Sequence, residues 1–197
     1  MIKKINILII IITFMSSVFV ALTKQEELVL FIKDISILFT ISGLYIIQKM
    51  FKTKIDDNIN LVYILFVFMA HFLGVVVNLY DKLYWYDKFT HFLSGILTSF
   101  AAIYILNRGN SNKKLWFNIL FILSFSMLVA AFWEVFEFTS SCLFNVDPQK
   151  VKLTGINDTM GDIIVAYLGS ILVSICYIYE AKCNKKFIIT KFISLIK

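Results

Sequence analysis

Five carboxylates and one imidazole fall in pairs at helical spacing. Asp87 and His91 stand four positions apart, Glu134 and Glu137 three, and Asp158 and Asp162 four. At these spacings the two side chains of a pair leave one face of a helix together. One imidazole among several carboxylates is a ligand set for a divalent cation: oxygen-rich for Mg or Mn, mixed nitrogen and oxygen for Zn or Fe. In such a site His91, Glu134, Asp162 and Asp87 are the candidate ligands. Glu137 and Asp158 are the candidate catalytic groups, as a base or as residues that orient the ligands. Other chemistries lack their residues. No P-loop, GxSxG or HExxH pattern occurs. Arg108 is the one arginine, and it falls away from the acidic pairs, so no bidentate arginine clamp on phosphate is on offer there. Cys142, Cys176 and Cys183 show no CxxC spacing and read as incidental thiols.

The elements that must carry these residues are set by composition. Of 197 residues, 59% are apolar and 16% charged, and the mean hydropathy is +0.82. A soluble domain of this length cannot cover itself with so few polar residues. That excludes a soluble enzyme, a disulfide scaffold and a disordered chain. The apolar runs fill both helix faces for about 20 residues each, the length that crosses a ~30 Å hydrocarbon core, and they lack the strand-length alternation of a membrane barrel. The expectation is an all-α membrane protein, a bundle of about six transmembrane helices in one polytopic domain over 1–197. The spans fall at about 5–23, 28–48, 58–80, 89–107, 115–138 and 162–179, with the first read as a retained helix. A surface amphipathic tail over 187–196 or a frayed end follows.

Most of the 19 basic residues fall in alternate connections, which places both termini inside. The net charge of +6 then suits an inner face against anionic lipid and calls for no nucleic acid. In this topology helix 4 starts, helix 5 ends and helix 6 starts on one side, so all three pairs reach one membrane level. Tyr84, Trp85, Tyr86 and Trp133 mark the same boundary. Small residues (Ser94, Gly95, Thr98; Ser126, Ala130; Ala166, Gly169, Ser170) allow the three helices to approach closely. His71 and Asn78 share a stripe with Gly74 in helix 3, and Asp34 sits in helix 2. Each of these has an ordinary explanation as an interhelical hydrogen bond or an edge charge. Capping explains Asp87, Asp158 or Asp162 equally simply. Glu134 and Glu137 at a helix C-terminus would oppose the helix dipole and need a cation, a proton or a partner such as Lys88.

Tyr-Asp-Lys-Phe-Thr-His-Phe-Leu-Ser-Gly at 86–95, Trp-Glu-Val-Phe-Glu-Phe at 133–138 and Asp-Thr-Met-Gly-Asp at 158–162, followed by Gly169, resemble the YjdF-like bacterial membrane proteins, a family without an assigned function. More distantly, the order D-K-x-x-H, E, D-x-x-x-D, G is similar to VanZ-like proteins, one of which is linked to teicoplanin resistance. The resemblance covers roughly 60–180 and implies a bacterial cytoplasmic-membrane protein with a shared site at these positions. Thr154-Gly155-Ile156-Asn157 stands where many YjdF-like members carry a longer Gly- and Asp-containing stretch. Three functions fit: a metal-dependent enzyme on envelope lipid or a lipid-linked substrate; a non-catalytic binder or transporter of an ion, proton or headgroup; and a structural partner within the membrane.

Overall fold

The computed structural model describes residues 2–23, 40, 42–46, 48–50, 55–109, 114–144, 147–183 and 185–195. The regular elements among them are all helices. Four are long and apolar enough to cross a membrane: 57–76, 86–108, 115–144 and 157–183. Two thirds of the expected span at 28–48, Asp34 included, lies outside the described residues; of its positions, 40, 42–46 and 48 are helical. The chain divides into two compact units, Met1–Tyr86 and Asp87–Lys197.

The first unit contains α1 (Ile2–Thr23), α2 (Asp57–Val67), a π-helical continuation (Phe68–Val76) and the short α3 (Leu79–Lys82). Asp56 caps α2 by accepting the Asn58 amide at 2.8 Å. Gln48 ties the preceding segment to α2: its Nε2 donates to Asn60 Oδ1 at 3.2 Å, and its Oε1 accepts from the Ile55 amide at 2.9 Å. Polar groups inside an apolar bundle are thus paired with one another, as the absence of water requires. His71 lies in the π segment, and Asn78 adopts a left-handed conformation (φ 63°) that ends it. The chain folds back so tightly that a Cβ on Gly74 would fall 2.3 Å from the Tyr80 ring. His71 and Asn78 therefore belong to this unit's own turn.

The second unit carries the acidic pairs. It is built from α4 (Tyr86–Arg108), α5 (Leu115–Phe144), the single turn α6 (Val151–Thr154), α7 (Asn157–Cys183) and α8 (Ile188–Leu195). The small-residue stripes bring α4 and α7 into backbone contact. A Cβ on Gly95 would lie 1.9 Å from the Ala166 carbonyl oxygen, and one on Gly169 would lie 2.3 Å from the Phe92 oxygen. Around this crossing Ser99 Oγ donates to Ser170 Oγ at 2.8 Å, Thr98 and Ser126 hydroxyls pair at 2.9 Å, and Ser126 donates to the Gly95 carbonyl at 3.3 Å. Ser94 bonds its own helix at the His91 carbonyl. Below the crossing Ala102, Ile103, Ile122, Val173 and Ile189 form the apolar core.

Several span ends differ from expectation, among them 76 for 80, 86 for 89 and 183 for 179, and two further differences bear most on the site. α5 continues past 138 to Phe144 because nothing stops it: Thr139, Ser140 and Ser141 each bond the carbonyl four residues back, at 2.7, 2.8 and 2.9 Å. Such back-bonding satisfies the hydroxyls within the helix. Glu134 and Glu137 are therefore interior to α5 and, contrary to expectation, do not stand at a helix C-terminus against its dipole. α7 begins at Asn157 rather than 162, after Gly155 reverses the chain at φ 62°. Asp158 thus sits in its first turn and Asp162 one turn deeper.

Candidate metal centre

The start of α4, the far part of α5 and the start of α7 meet at one end of the second unit. Glu134 is nineteen rises from Leu115, roughly 29 Å along the axis at 1.5 Å per residue, about one hydrocarbon thickness. The acidic residues therefore lie one membrane thickness from the opposite end of α5.

Asp87, His91 and Asp162 each offer one ligand atom, all within 4.8 Å of one another. His91 Nε2 stands 3.7 Å from Asp87 Oδ1 and 3.7 Å from Asp162 Oδ1. The imidazole and both carboxylates are largely covered; Asp162 is 3% exposed as a residue. Ligand atoms on a cation with bonds of about 2.1 Å sit roughly 3 to 3.5 Å apart. The two 3.7 Å gaps must contract by a few tenths of an ångström, and the two carboxylates must close from within 4.8 Å, for the three atoms to meet on one ion. Nitrogen from α4 and oxygens from α4 and α7 form one set because the glycine crossing holds those two helices together.

Two lysines reach the same acids. Lys88 Nζ lies 2.5 Å from Asp158 Oδ1, 2.8 Å from Asp162 Oδ1 and 3.2 Å from the Asp158 carbonyl. Gly161 makes room for it, since a Cβ there would be 3.1 Å from Lys88 Cε. Lys150 Nζ stands 3.5 Å from Asp87 Oδ2. Asp162 Oδ1 is therefore shared between Lys88 and the imidazole, while the buried Asp158 Oδ2 has no hydrogen-bond partner among the described residues.

Glu134 and Glu137 diverge. Glu134 is 5% exposed; its Oε2 accepts from Gln149 Nε2 at 3.0 Å and its carbonyl from the same nitrogen at 3.1 Å. Its Oε1 is buried without a hydrogen-bond partner among the described residues. It lies outside the group of three ligand atoms but within electrostatic reach of His91 and Asp162. Glu137 instead accepts the Trp133 indole N–H at 2.9 Å. Three residues apart on a helix is about 300° of rotation, so a tightly fitted site takes one member of the pair and leaves the other at its flank.

Sequence reading missed two residues here. Gln149, 6% exposed, is the donor that holds Glu134, and Lys150 approaches Asp87. Both come from the connection between α5 and α7, where no periodicity announces a direction. The adjacent Asp147 is the legible part: an acid before a short turn, its carboxylate accepting the Val151 and Lys152 amides at 2.8 and 3.1 Å. Beside Glu134, Gln149 and Thr159, an open recess of about 420 Å³ is walled by Val135, Phe138 and Ile156. The three cysteines are free thiols.

A family of predicted membrane proteins (DUF2238) matches residues 5–182. The chain is also similar to an uncharacterized protein of Thermotoga maritima, 25% identical over 152 residues that cover 73% of each chain. No solved structure matches it.

Proposed function

The chain belongs to the DUF2238 family of predicted membrane proteins, and from that premise we propose that its second unit holds one divalent cation, on Asp87, His91 and Asp162, for chemistry on a lipid or lipid-linked substrate. The observation that carries this reading is the imbalance of charge. Among the described residues, five acids (Asp87, Glu134, Glu137, Asp158 and Asp162) fall at this end, and Lys88 and Lys150 supply two positive charges to them. Uncompensated anions at a membrane boundary are costly, and a divalent cation relieves the largest part of the excess. An imidazole beside two carboxylates suits Zn, Mn or Fe better than Mg. Asp158 and Glu134 then flank the ion as the residues able to take or give a proton, and Gln149 holds Glu134 in place. The open recess beside Glu134 is apolar on its walls and polar at its head, which suits an amphiphile entering from the bilayer. The YjdF-like assignment fits this family, the more distant VanZ-like likeness points to the same acidic and histidine positions, and the bacterial cytoplasmic membrane is the expected setting. About six spans in one polytopic domain, with both termini inside, complete the proposal.

Lys88 favours a second reading. It already bridges Asp158 and Asp162, so a purely structural ion cluster would leave Lys88 as the resident cation. Elemental analysis of the purified protein separates the two. One equivalent of a transition metal in the wild type, lost in His91→Ala and Asp162→Asn, is the expected result. Purified protein that takes up no stoichiometric metal when supplied with Zn, Mn or Fe would overturn the metal reading in favour of the structural cluster.

A further inference from the structure

The opposite end of α7 carries a separate basic and apolar feature. Glu180 is 7% exposed, and its carboxylate accepts the amides of Phe187, Ile189 and Thr190 at 3.2, 2.7 and 2.8 Å and the Thr190 hydroxyl at 2.7 Å. These bonds clamp the start of α8 to the end of α7. Ile189 is buried, and the Phe192 ring packs 4.9 Å from that of Phe100. The inward face of α8 is thereby used up, while Phe187 and Ile188 stay 62% and 48% exposed. An open recess of about 600 Å³ lies along α8, lined by Lys186, Phe187, Ile188, Thr190, Lys191 and Ser194. Lys182, Lys185, Lys186 and Lys191 all belong to this end of the chain. The one acid from position 163 onward is Glu180, and its oxygens are consumed by the clamp.

We propose that this recess is a binding site for an anionic phospholipid, its phosphate held between Lys186 and Lys191 and its acyl chain laid on Phe187 and Ile188. Charge complementarity selects the occupant. Exposed lysines with no ion pair to an acid among the described residues, next to exposed aromatic and aliphatic side chains, match a negative headgroup joined to a hydrocarbon tail. The α8 N-terminal amides do not contribute, because Glu180 occupies them. Specificity therefore rests on the lysine side chains and is for charge, without preference for headgroup shape. The site is independent of the acidic cluster, so metal chelation leaves it intact.

The full chain in detergent, mixed with equimolar dioleoyl-phosphatidylglycerol and dioleoyl-phosphatidylcholine and analysed by native mass spectrometry, tests this. The wild type should retain the anionic lipid about 25-fold over the zwitterionic one. Lys186→Gln with Lys191→Gln should erase the preference, while Lys152→Gln, an exposed lysine at the other end of the unit, should keep it. At about 1 kcal/mol per lysine near a lipid surface, each single variant should lose roughly fivefold, which is the readout if the double variant is poorly folded. No preference in the wild type, a preference unchanged in the lysine variants, or an equal loss in Lys152→Gln would overturn the proposal.

Discussion

Two buried acid sites lie near opposite ends of α7, and they handle charge in contrary ways. At the Glu180 end one carboxylate meets four donors, three of them backbone amides, and neither oxygen is left over. At the Asp162 end, among the described residues, acceptors outnumber donors: Lys88 is divided between two aspartates, and buried oxygens of Glu134 and Asp158 have no hydrogen-bond partner. Burial is nearly the same, with Glu180 7% exposed against 5% for Glu134 and 3% for Asp162. Surface exposure alone therefore does not separate a structural acid from a functional one. The ratio of donors to acceptors does. A saturated carboxylate holds a fold together, and an unsaturated cluster has capacity for something else.

The contrast is sharpest when each end is neutralised. Glu180→Ala strips three amides and a hydroxyl of their acceptor, and unsatisfied buried groups cost about 1–3 kcal/mol each when water cannot reach them. With partial rehydration, a loss of about 3 kcal/mol is expected, read as a lower thermal unfolding midpoint in detergent and faster amide exchange in 187–190. Gly95→Ala comes next. Its methyl would meet the Ala166 carbonyl 1.9 Å away, so α4 and α7 must separate. Overpacking of this kind costs about 2 kcal/mol, and widening of the His91–Asp162 gap should lower metal uptake as well. Asp162→Asn, measured without metal, should stay within about 1 kcal/mol of wild type, because Lys88 keeps Asp158 and a like charge is removed. A loss as large as that of Glu180→Ala would break the comparison and make Asp162 a structural acid. The smallest effect belongs to Trp133→Phe, which removes one indole bond to Glu137 at a half-open position. About 0.5 kcal/mol is expected from chemical denaturation, with metal content unchanged.

The aspartate and histidine positions at the acidic end are legible in the amino-acid sequence. Asp87, His91 and Asp162 are ionisable residues in a chain with little charge, at helical spacing, next to glycine and serine stripes that let helices close. Glu137 shows what spacing leaves open. Spacing of three places two side chains on one broad face, but Trp133 one turn back takes the second of them. The argument from a helix end also failed, because serine and threonine read as loop residues yet satisfy themselves inside α5. Gln149 and Lys150 were illegible, since an irregular connection has no period from which to read direction. Glu180 was passed over because its partners are backbone amides, which leave no mark in an amino-acid sequence.

What the sequence alone determined is the class of molecule and the level of its polar residues. Long uncharged runs require helices in lipid, because helices satisfy their own backbone groups there. Antiparallel helices of nearly equal length then bring alternate ends to a common plane. Tertiary structure decided which of those residues touch. That choice depends on helix rotation, on where α5 and α7 begin and end, and on the sub-ångström fit of Gly95 and Gly169 at the crossing. A shift of one residue turns a side chain by 100° and moves it 1.5 Å along the axis. Composition does not resolve that difference, and a cation with bonds of about 2.1 Å cannot tolerate it.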